Sequence, residues 1–171
     1  MNFEKKLEKQ YVVMGVAGCG KTSVANSLAS ALNGFFIDAD DFHSIENKNK
    51  MKSCIPLTDD DRKDWLGILH DVLVENYQTG KITVLACSAL KQSYREVLSK
   101  DIDLVFIYLK LSLNEAVKRI DSRKNHFFRS KIIDSQFEIL EEPVNAIIVD
   151  ASMPFSDVVS EIINKIEIRN L

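Results

Sequence analysis

The segment Gly15-Val16-Ala17-Gly18-Cys19-Gly20-Lys21-Thr22 fits the pattern G-x-x-x-x-G-K-[ST], a phosphate-binding loop. Glycines at 15, 18 and 20 admit backbone angles that a Cβ forbids, so the chain can curl around an anion. Successive N–H groups of the loop, those of Val16, Ala17 and Cys19 included, then point inward, and the next helix adds its positive end. In this pattern the lysine, Lys21, reaches the β- and γ-phosphates of a nucleotide, and the Thr22 hydroxyl ligates Mg²⁺. Cys19 contributes its backbone here; its thiol is an oxidisable group inside the loop.

The flanks agree with the motif. Tyr11-Val12-Val13-Met14 reads as a buried strand running into the loop, and residues 23–32 place Val24, Leu28, Ala31 and Leu32 on one helical side. Further continuous apolar runs follow at Phe35-Phe36-Ile37, at 82–86, at 104–109 and at 146–149, as expected of parallel strands covered on both faces. Helical patterns fall between them, at roughly 59–78, 91–99, 113–124, 130–140 and 155–168. The alternation predicts an open α/β sheet of five parallel strands joined by right-handed crossovers. Ligands of such sheets bind beyond the carboxyl ends of the strands. Asp38, Asp40, Cys87-Ser88, Lys110 and Asp150 each follow a predicted strand, so they should gather on one edge. There is no repeat, linker or sign of a second domain; residues 1–171 read as one.

With 171 residues, 46% hydrophobic and 27% charged, the chain has ordinary globular composition and enough length for a sizeable core. A net charge of −3 excludes broad affinity for nucleic acid, although a local cationic pocket can still hold an anionic substrate. Three cysteines, odd in number and without ligand spacing, point to a reducing compartment. The N-terminal stretch is too charged for a signal peptide and no apolar run is long enough to span a bilayer, so a cytoplasmic protein is expected.

Two constellations carry chemistry. Ile37-Asp38-Ala39-Asp40-Asp41-Phe42-His43 ends a strand beside the loop. Asp41 suits a helix cap. Asp38 and Asp40 lie two apart and so point the same way in extended chain; one carboxylate would orient Mg²⁺ and the other accept a proton from an attacking hydroxyl. His43 is either a ligand for a polar substrate or a surface residue at a helix start. The second constellation is cationic. Arg62, in an acidic helix start, is either solvated or a planar fork for a carboxylate. Lys91 and Arg95 share a helical face, Lys91 in the first turn near the pocket, with Ser88 as a candidate cap. Arg119 and Arg123 repeat the spacing, and the cation-rich stretch 120–129 reads as a lid whose closing arginine would stabilise a transferring phosphoryl group. Together these motifs indicate a P-loop kinase of a small hydroxylated molecule.

The stretches MGVAGCGKTSVA, FIDADDFH, IPLTDDDRKDWL, VLACSALKQSYRE, FIYLK, RKNHFF and SQFEILEEP, spread over residues 14–143, resemble the gluconate kinases of the shikimate and nucleotide kinase-like group. The CSALK and DDDR segments are far more specific than the loop. The resemblance implies ATP-dependent phosphorylation of D-gluconate on its 6-hydroxyl. It also implies a three-layer P-loop fold with sheet order 2-3-1-4-5, a mobile lid over roughly 122–132, and a homodimer. By position, residues 15–22 match the ATP loop, Asp38 the acid near Mg²⁺, Asp40 the substrate-binding general base and Arg62 the arginine for the substrate carboxylate. Arg119 resembles the arginine stacked on adenine and Arg123 the lid arginine on the phosphates. His43, Lys91, His126 and Gln136 lie in matching motifs and are expected on the acceptor side.

Several positions depart from the family's pattern. Cys19 stands for the commoner serine, Ser44 for a proline, Thr58 for an asparagine and Asp64 for the proline before Trp65. Cys54 stands for a glycine, which is expected to alter a loop on the substrate side. The rival readings are a kinase of another small acceptor such as shikimate or a nucleoside, a nucleotide-binding switch, and a structural protein with a degenerate loop. The chain lacks an Asn-Lys-x-Asp guanine motif, and it retains Lys21, Thr22, Asp38 and Asp40, which weighs against the last two.

Overall fold

The computed structural model describes residues 10–121 and 126–169, with side chains outside 121–131. Five strands, β1 (Gln10–Met14), β2 (Phe35–Asp38), β3 (Thr83–Ala86), β4 (Leu104–Lys110) and β5 (Ile147–Asp150), form one parallel sheet. Its order is β2-β3-β1-β4-β5, as the resemblance implied. Around it lie α1 (Lys21–Ala31), α2 (Ile45–Lys52), α3 (Asp59–Gln78), α4 (Gln92–Ser99), α5 (Leu113–Asp121), α6 (His126–Ile139) and α7 (Phe155–Arg169). Of the lid expected over 122–132, residues 126–132 form the start of α6, and 122–125, Arg123 among them, lie outside the described residues.

Central β1 is buried along its whole length, and its alternate residues feed two cores. Tyr11 and Val13 pack with Val24, Leu28 and Ile162 of α1 and α7 on one face. Val12 and Met14 pack with Trp65, Leu69 and Leu98 of α3 and α4 on the other. The continuous apolar runs are therefore covered on both sides, giving three layers. The strand ends on the carboxyl side then share one rim, where the chemically suggestive residues gather.

α3 begins at the predicted residue for a local reason. Thr58 accepts from Asp61 N at 3.2 Å while the Asp61 carboxylate accepts from Thr58 N at 2.9 Å, a reciprocal capping box. Threonine thus does at position 58 what the family's asparagine would do. Asp61 also holds Lys50 at 2.8 Å, which ties α2 to α3.

Three helices end the same way, and one of the three ends carries strain. After α1, α2 and α3 the chain turns through Asn33, Cys54 and Gly80, with φ of 52°, 55° and 71°. Each turn carries the same pair of closing hydrogen bonds; after α2 they run from Cys54 N to Met51 O at 3.0 Å and from Ile55 N to Lys50 O at 2.9 Å. Glycine suits this left-handed position and asparagine tolerates it; cysteine does not. Cys54 thus holds a left-handed turn that a glycine would take freely, and it carries the strain. Cys54→Gly should raise stability by about 1 kcal/mol, or ~2–4 °C in Tm, in a thermal melt. No change or a lower Tm would show that the turn is not strained by the Cβ.

Candidate active site

The loop has the built form of an anion cradle. Gly15, Gly18 and Gly20 have φ of 142°, 82° and 98°, and Gly20 is the residue from which α1 springs. A Cβ on Gly15 would lie 2.8 Å from Cys19 Sγ and 2.9 Å from Leu109 O, so this position admits only glycine. Val16 and Cys19 are buried beneath the loop, at 2% and 3% exposure, and the Cys19 thiol does not face solvent. The first N–H groups of α1, at Lys21, Thr22 and Ser23, have no partner inside the helix and line the mouth of a cleft of about 660 Å³.

The acid pair sits on that cleft. Thr22 Oγ1 donates to Asp38 Oδ2 at 3.1 Å, which brings two oxygen ligands of the kind Mg²⁺ prefers together beside the cradle. Asp38 Oδ1 accepts from Asp40 N at 3.1 Å and so caps a 3₁₀ turn, Ala39–Phe42. Among the described residues no group of three or more His, Cys, Asp or Glu side chains forms a protein cage for a metal. A magnesium ion carried on nucleotide phosphates, which needs only one or two protein oxygens, fits this arrangement. Asp40 lines the cleft, and its side chain makes no hydrogen bond to described residues. Its carboxyl is raised above the ordinary aspartate value, first by the walls that screen it from water, then by Asp38, with Lys21 opposing. A carboxylate shifted toward neutrality is a better proton acceptor than an ordinary one.

His43 forms part of the opposite wall. The ring stacks on Trp65 at 4.2 Å with an interplanar angle of 12°, and Trp65 Nε1 donates to Ala39 O at 2.8 Å, so the tryptophan is fixed beneath it. Burial, then Arg62 and Lys48, push the imidazole down to about 4, so it is neutral at physiological pH. His43 is buried and lines the cleft rather than the outer surface.

Arg62 and Lys91 supply positive charge to the same cleft. Arg62 Nη1 donates to Leu57 O at 2.6 Å, and at longer range to Thr58 O and Tyr94 OH. Nε and Nη2 carry no hydrogen bond to described residues, so one side of the fork stays open. Lys91 pairs with Asp59 at 2.7 Å, and Tyr94 OH donates to the same carboxylate. Gln136, on α6, reaches across to the loop: its Oε1 accepts from Ala17 N at 2.6 Å.

Several expectations are corrected. The helix cap read at Asp41 belongs to Asp38 for the 3₁₀ turn and to Ser44 for α2, where Ser44 Oγ accepts from Asn47 N at 3.1 Å. Ser88 does not cap α4. That helix starts one residue late, after Lys91, and its first N–H, at Gln92, donates to Glu141 Oε2 at 2.6 Å. Arg95, read as a neighbour of Lys91, is only 4% exposed. It donates to Ala89 O at 2.9 Å and Leu90 O at 3.1 Å, clamping a turn in which Ala89 has φ 43°. Lys110 pairs with Glu142 at 2.9 Å and Asp150 caps its own turn through Ser152 N, so neither lines the cleft. Cys87 lines it, but burial pushes the thiol up to about 12, which excludes a thiolate nucleophile.

Arg119 is not among the residues that line the cleft; it donates to Gly18 O of the loop at 3.4 Å and to Ala151 O at 2.5 Å. Arg123 lies outside the described residues, and the described part of His126 is its place as the first residue of α6. The structure thus gathers Lys21, Thr22, Asp38, Asp40, His43 and Arg62, with Lys91 and Gln136, around one cleft. Trp65 and Asp59 join them without having been singled out: the tryptophan looks like ordinary core in the sequence, and Asp59 like one acid of a dipole-matched helix start.

A phosphate cradle, a hydroxyl–carboxylate pair beside it, a raised aspartate and an open cationic end define a P-loop kinase of a small acceptor. The shikimate kinase family matches residues 17–167. A probable gluconokinase of Dictyostelium discoideum is 42% identical, covering 94% of this chain and 92% of its own length. The thermoresistant gluconokinase of Escherichia coli K12 is 41% identical, with 92% and 93% covered. The crystal structure of a gluconokinase from Sinorhizobium meliloti 1021 superposes with a TM-score of 0.82 at 38% identity, over 91% of this chain and 89% of that one. The chain belongs to the gluconokinases, within the wider shikimate kinase family.

Proposed function

We propose that this protein transfers the γ-phosphoryl group of ATP to the 6-hydroxyl of D-gluconate, giving 6-phosphogluconate and ADP. The observation that carries the reading is the arrangement of one cleft. Asp40 lies beside the phosphate cradle, near Asp38 and Lys21, and Arg62, on α3, lines the same cleft with one side of its guanidinium making no hydrogen bond to described residues. That layout suits a chain-like acceptor with a hydroxyl at one end and a carboxylate at the other. The relatives at 41–42% identity, named as gluconokinases, support the same acceptor.

Bound ATP·Mg²⁺ supplies the transferable group and offsets its charge. The protein's part is positioning and electrostatics. Thr22 and Asp38 would hold the ion. Lys21 would reach the outer phosphates, and Asp40 would orient the 6-hydroxyl and accept its proton. Arg62 would take the carboxylate through its free edge, and Lys91, exchanging Asp59 for the substrate, would add a second cation. Neutral His43, flat on Trp65, presents a polar edge to the acceptor's hydroxyls. Arg119, Arg123 and His126 are assigned by resemblance to adenine, phosphates and acceptor respectively, in one catalytic domain closed by a lid over roughly 122–132. A homodimer in the cytoplasm completes the reading; among the described residues no helix is long and apolar enough to cross a membrane.

The test is ADP release in a coupled assay with gluconate, shikimate, a nucleoside or no acceptor. Gluconate should stimulate release strongly and the others should not. Stimulation by shikimate alone would move the protein to another acceptor. Tight nucleotide binding without any acceptor-stimulated release would favour a switch.

A further inference from the structure

The peptide unit joining Val16 to Ala17 is held at both ends by side chains. Its carbonyl, Val16 O, accepts from Lys21 Nζ at 3.0 Å. Its N–H, on Ala17, donates to Gln136 Oε1 at 2.6 Å. Gln136 lies 119 residues away on α6, half-buried, with Ile132, Ser135 and Ile139 beside it on the cleft wall. The Ala17 N–H is one of the loop groups that the motif alone would give to phosphate, and here it is committed to a side chain. Two hydrogen bonds through one amide reinforce each other, because an acceptor on the N–H pushes electron density through the amide onto the carbonyl that accepts at the other end. The carbonyl is also where the ammonium of Lys21 rests, so the plane of this peptide sets where that charge sits in the mouth of the loop.

We propose that Gln136 is a positioning residue for Lys21, acting through the Val16–Ala17 peptide plane, rather than a ligand of the acceptor molecule. It orients the peptide, the peptide orients the lysine, and α6 is thereby coupled to the phosphate end of the cleft. The loop's own chemistry explains why such a brace is useful. Within the loop, among the described residues, the Val16 carbonyl is otherwise held by one long backbone bond, from Cys19 N at 3.4 Å, so the two side chains tighten the orientation of the plane. A flip of the 16–17 plane would turn the carbonyl away from Lys21. The amide of glutamine is a suitable brace because it is a neutral acceptor, and a carboxylate in its place would repel phosphate.

This inference rests on the phosphate-binding role of the loop and not on the identity of the acceptor, so it is tested by ADP binding. ADP affinity is measured by calorimetry for the parent, Gln136→Met, Lys21→Met and the double variant. Methionine keeps the length and volume of glutamine and removes the acceptor. Gln136→Met should weaken ADP binding about 5–10-fold, the scale of one lost hydrogen bond. In the Lys21→Met background the same change should cost less than about twofold, because the two residues act through one peptide. Steady-state kinetics should show a lower kcat with the KM for gluconate within about twofold of the parent. Equal losses of ADP affinity in both backgrounds would overturn the coupling. Unchanged ADP affinity with a raised KM for gluconate would make Gln136 an acceptor ligand, and unchanged values throughout would remove it from the site. If the methionine variant does not fold, Gln136→Asn, one methylene too short to reach Ala17, is measured with the same expectations.

Discussion

Asp40→Asn is expected to lower kcat by about 10²–10⁴-fold, the range for loss of a general base, while ATP binding and the fold survive. Among the described residues the side chain makes no hydrogen bond that asparagine would forfeit, and the residue's backbone role, donating to Asp38 Oδ1, is unchanged. Its pKa sits above the ordinary aspartate value because the cleft walls withhold water from the carboxylate and Asp38 adds a second negative charge. That has two consequences of opposite sign. Catalysis needs the ionised form, so activity should fall as pH drops through the raised value. The acid limb should therefore lie at higher pH than an ordinary aspartate would give, and it should be missing from the residual activity of the variant. Stability runs the other way. A carboxyl whose folded pKa is raised favours the fold below its unfolded value, and that contribution is lost as pH rises through the folded value. At neutral pH the ionised group works against folding, and asparagine removes that opposition. The variant's Tm should be equal to or above the parent's. An inactive protein with a clearly lower Tm would mean that Asp40 holds the structure together; near-normal turnover would sink its assignment as base.

The acidic run that contains this residue was readable because chemistry and topology coincide there. A carboxylate directly after a strand, beside a phosphate loop, is placed to meet a metal ion or a reacting hydroxyl, and the fold puts Asp38 and Asp40 on that rim. The strand runs were equally readable: β1, β3 and β4 are buried on both faces, so their apolar runs are uninterrupted. What the sequence hid was carried by long-range contacts. α2, Ile-Glu-Asn-Lys-Asn-Lys-Met-Lys, has no apolar stripe to announce it, and is held by the Ser44 cap and the Lys50–Asp61 pair. Arg95 looks like a surface cation in the sequence because four-residue spacing from Lys91 says nothing about burial. Its place under the Ala89 turn exists only once α4 has docked. Gln136 sits in a matching motif without a visible partner, since no local pattern connects a helix residue to a backbone N–H 119 positions earlier. The sequence motifs thus located the reacting groups, and the structure was needed for the groups that hold them in place.

Arg62→Met is expected to raise the KM for gluconate by about 10²-fold, with the KM for ATP changed less than about twofold. The magnitude follows from losing a charge-assisted, two-pronged hold on a carboxylate, worth roughly 2–5 kcal/mol when one partner is truncated. Position and geometry select this residue over Lys91. Lys91 is already engaged by Asp59 at 2.7 Å, and a substrate would first have to displace that pair. Arg62 lines the cleft and anchors Nη1 on Leu57 O, while its Nε and Nη2 make no hydrogen bond to described residues. It is also close enough to His43 to help keep that ring neutral. The planar fork matters as well as the charge, so Arg62→Lys should recover only part of the loss. D-Glucitol, which keeps the six-carbon polyol but has an alcohol in place of the carboxylate, separates charge recognition from damage to the pocket. The parent should prefer gluconate over glucitol by about 10²-fold in kcat/KM, and Arg62→Met should nearly abolish that preference by losing activity on gluconate alone. Equal loss on both acceptors would mean that Arg62 shapes the α3 wall through Leu57 and Tyr94. An unchanged preference for gluconate would hand the carboxylate to Lys91, and with it the expectation that Asp59→Asn lowers the KM for gluconate by freeing that lysine.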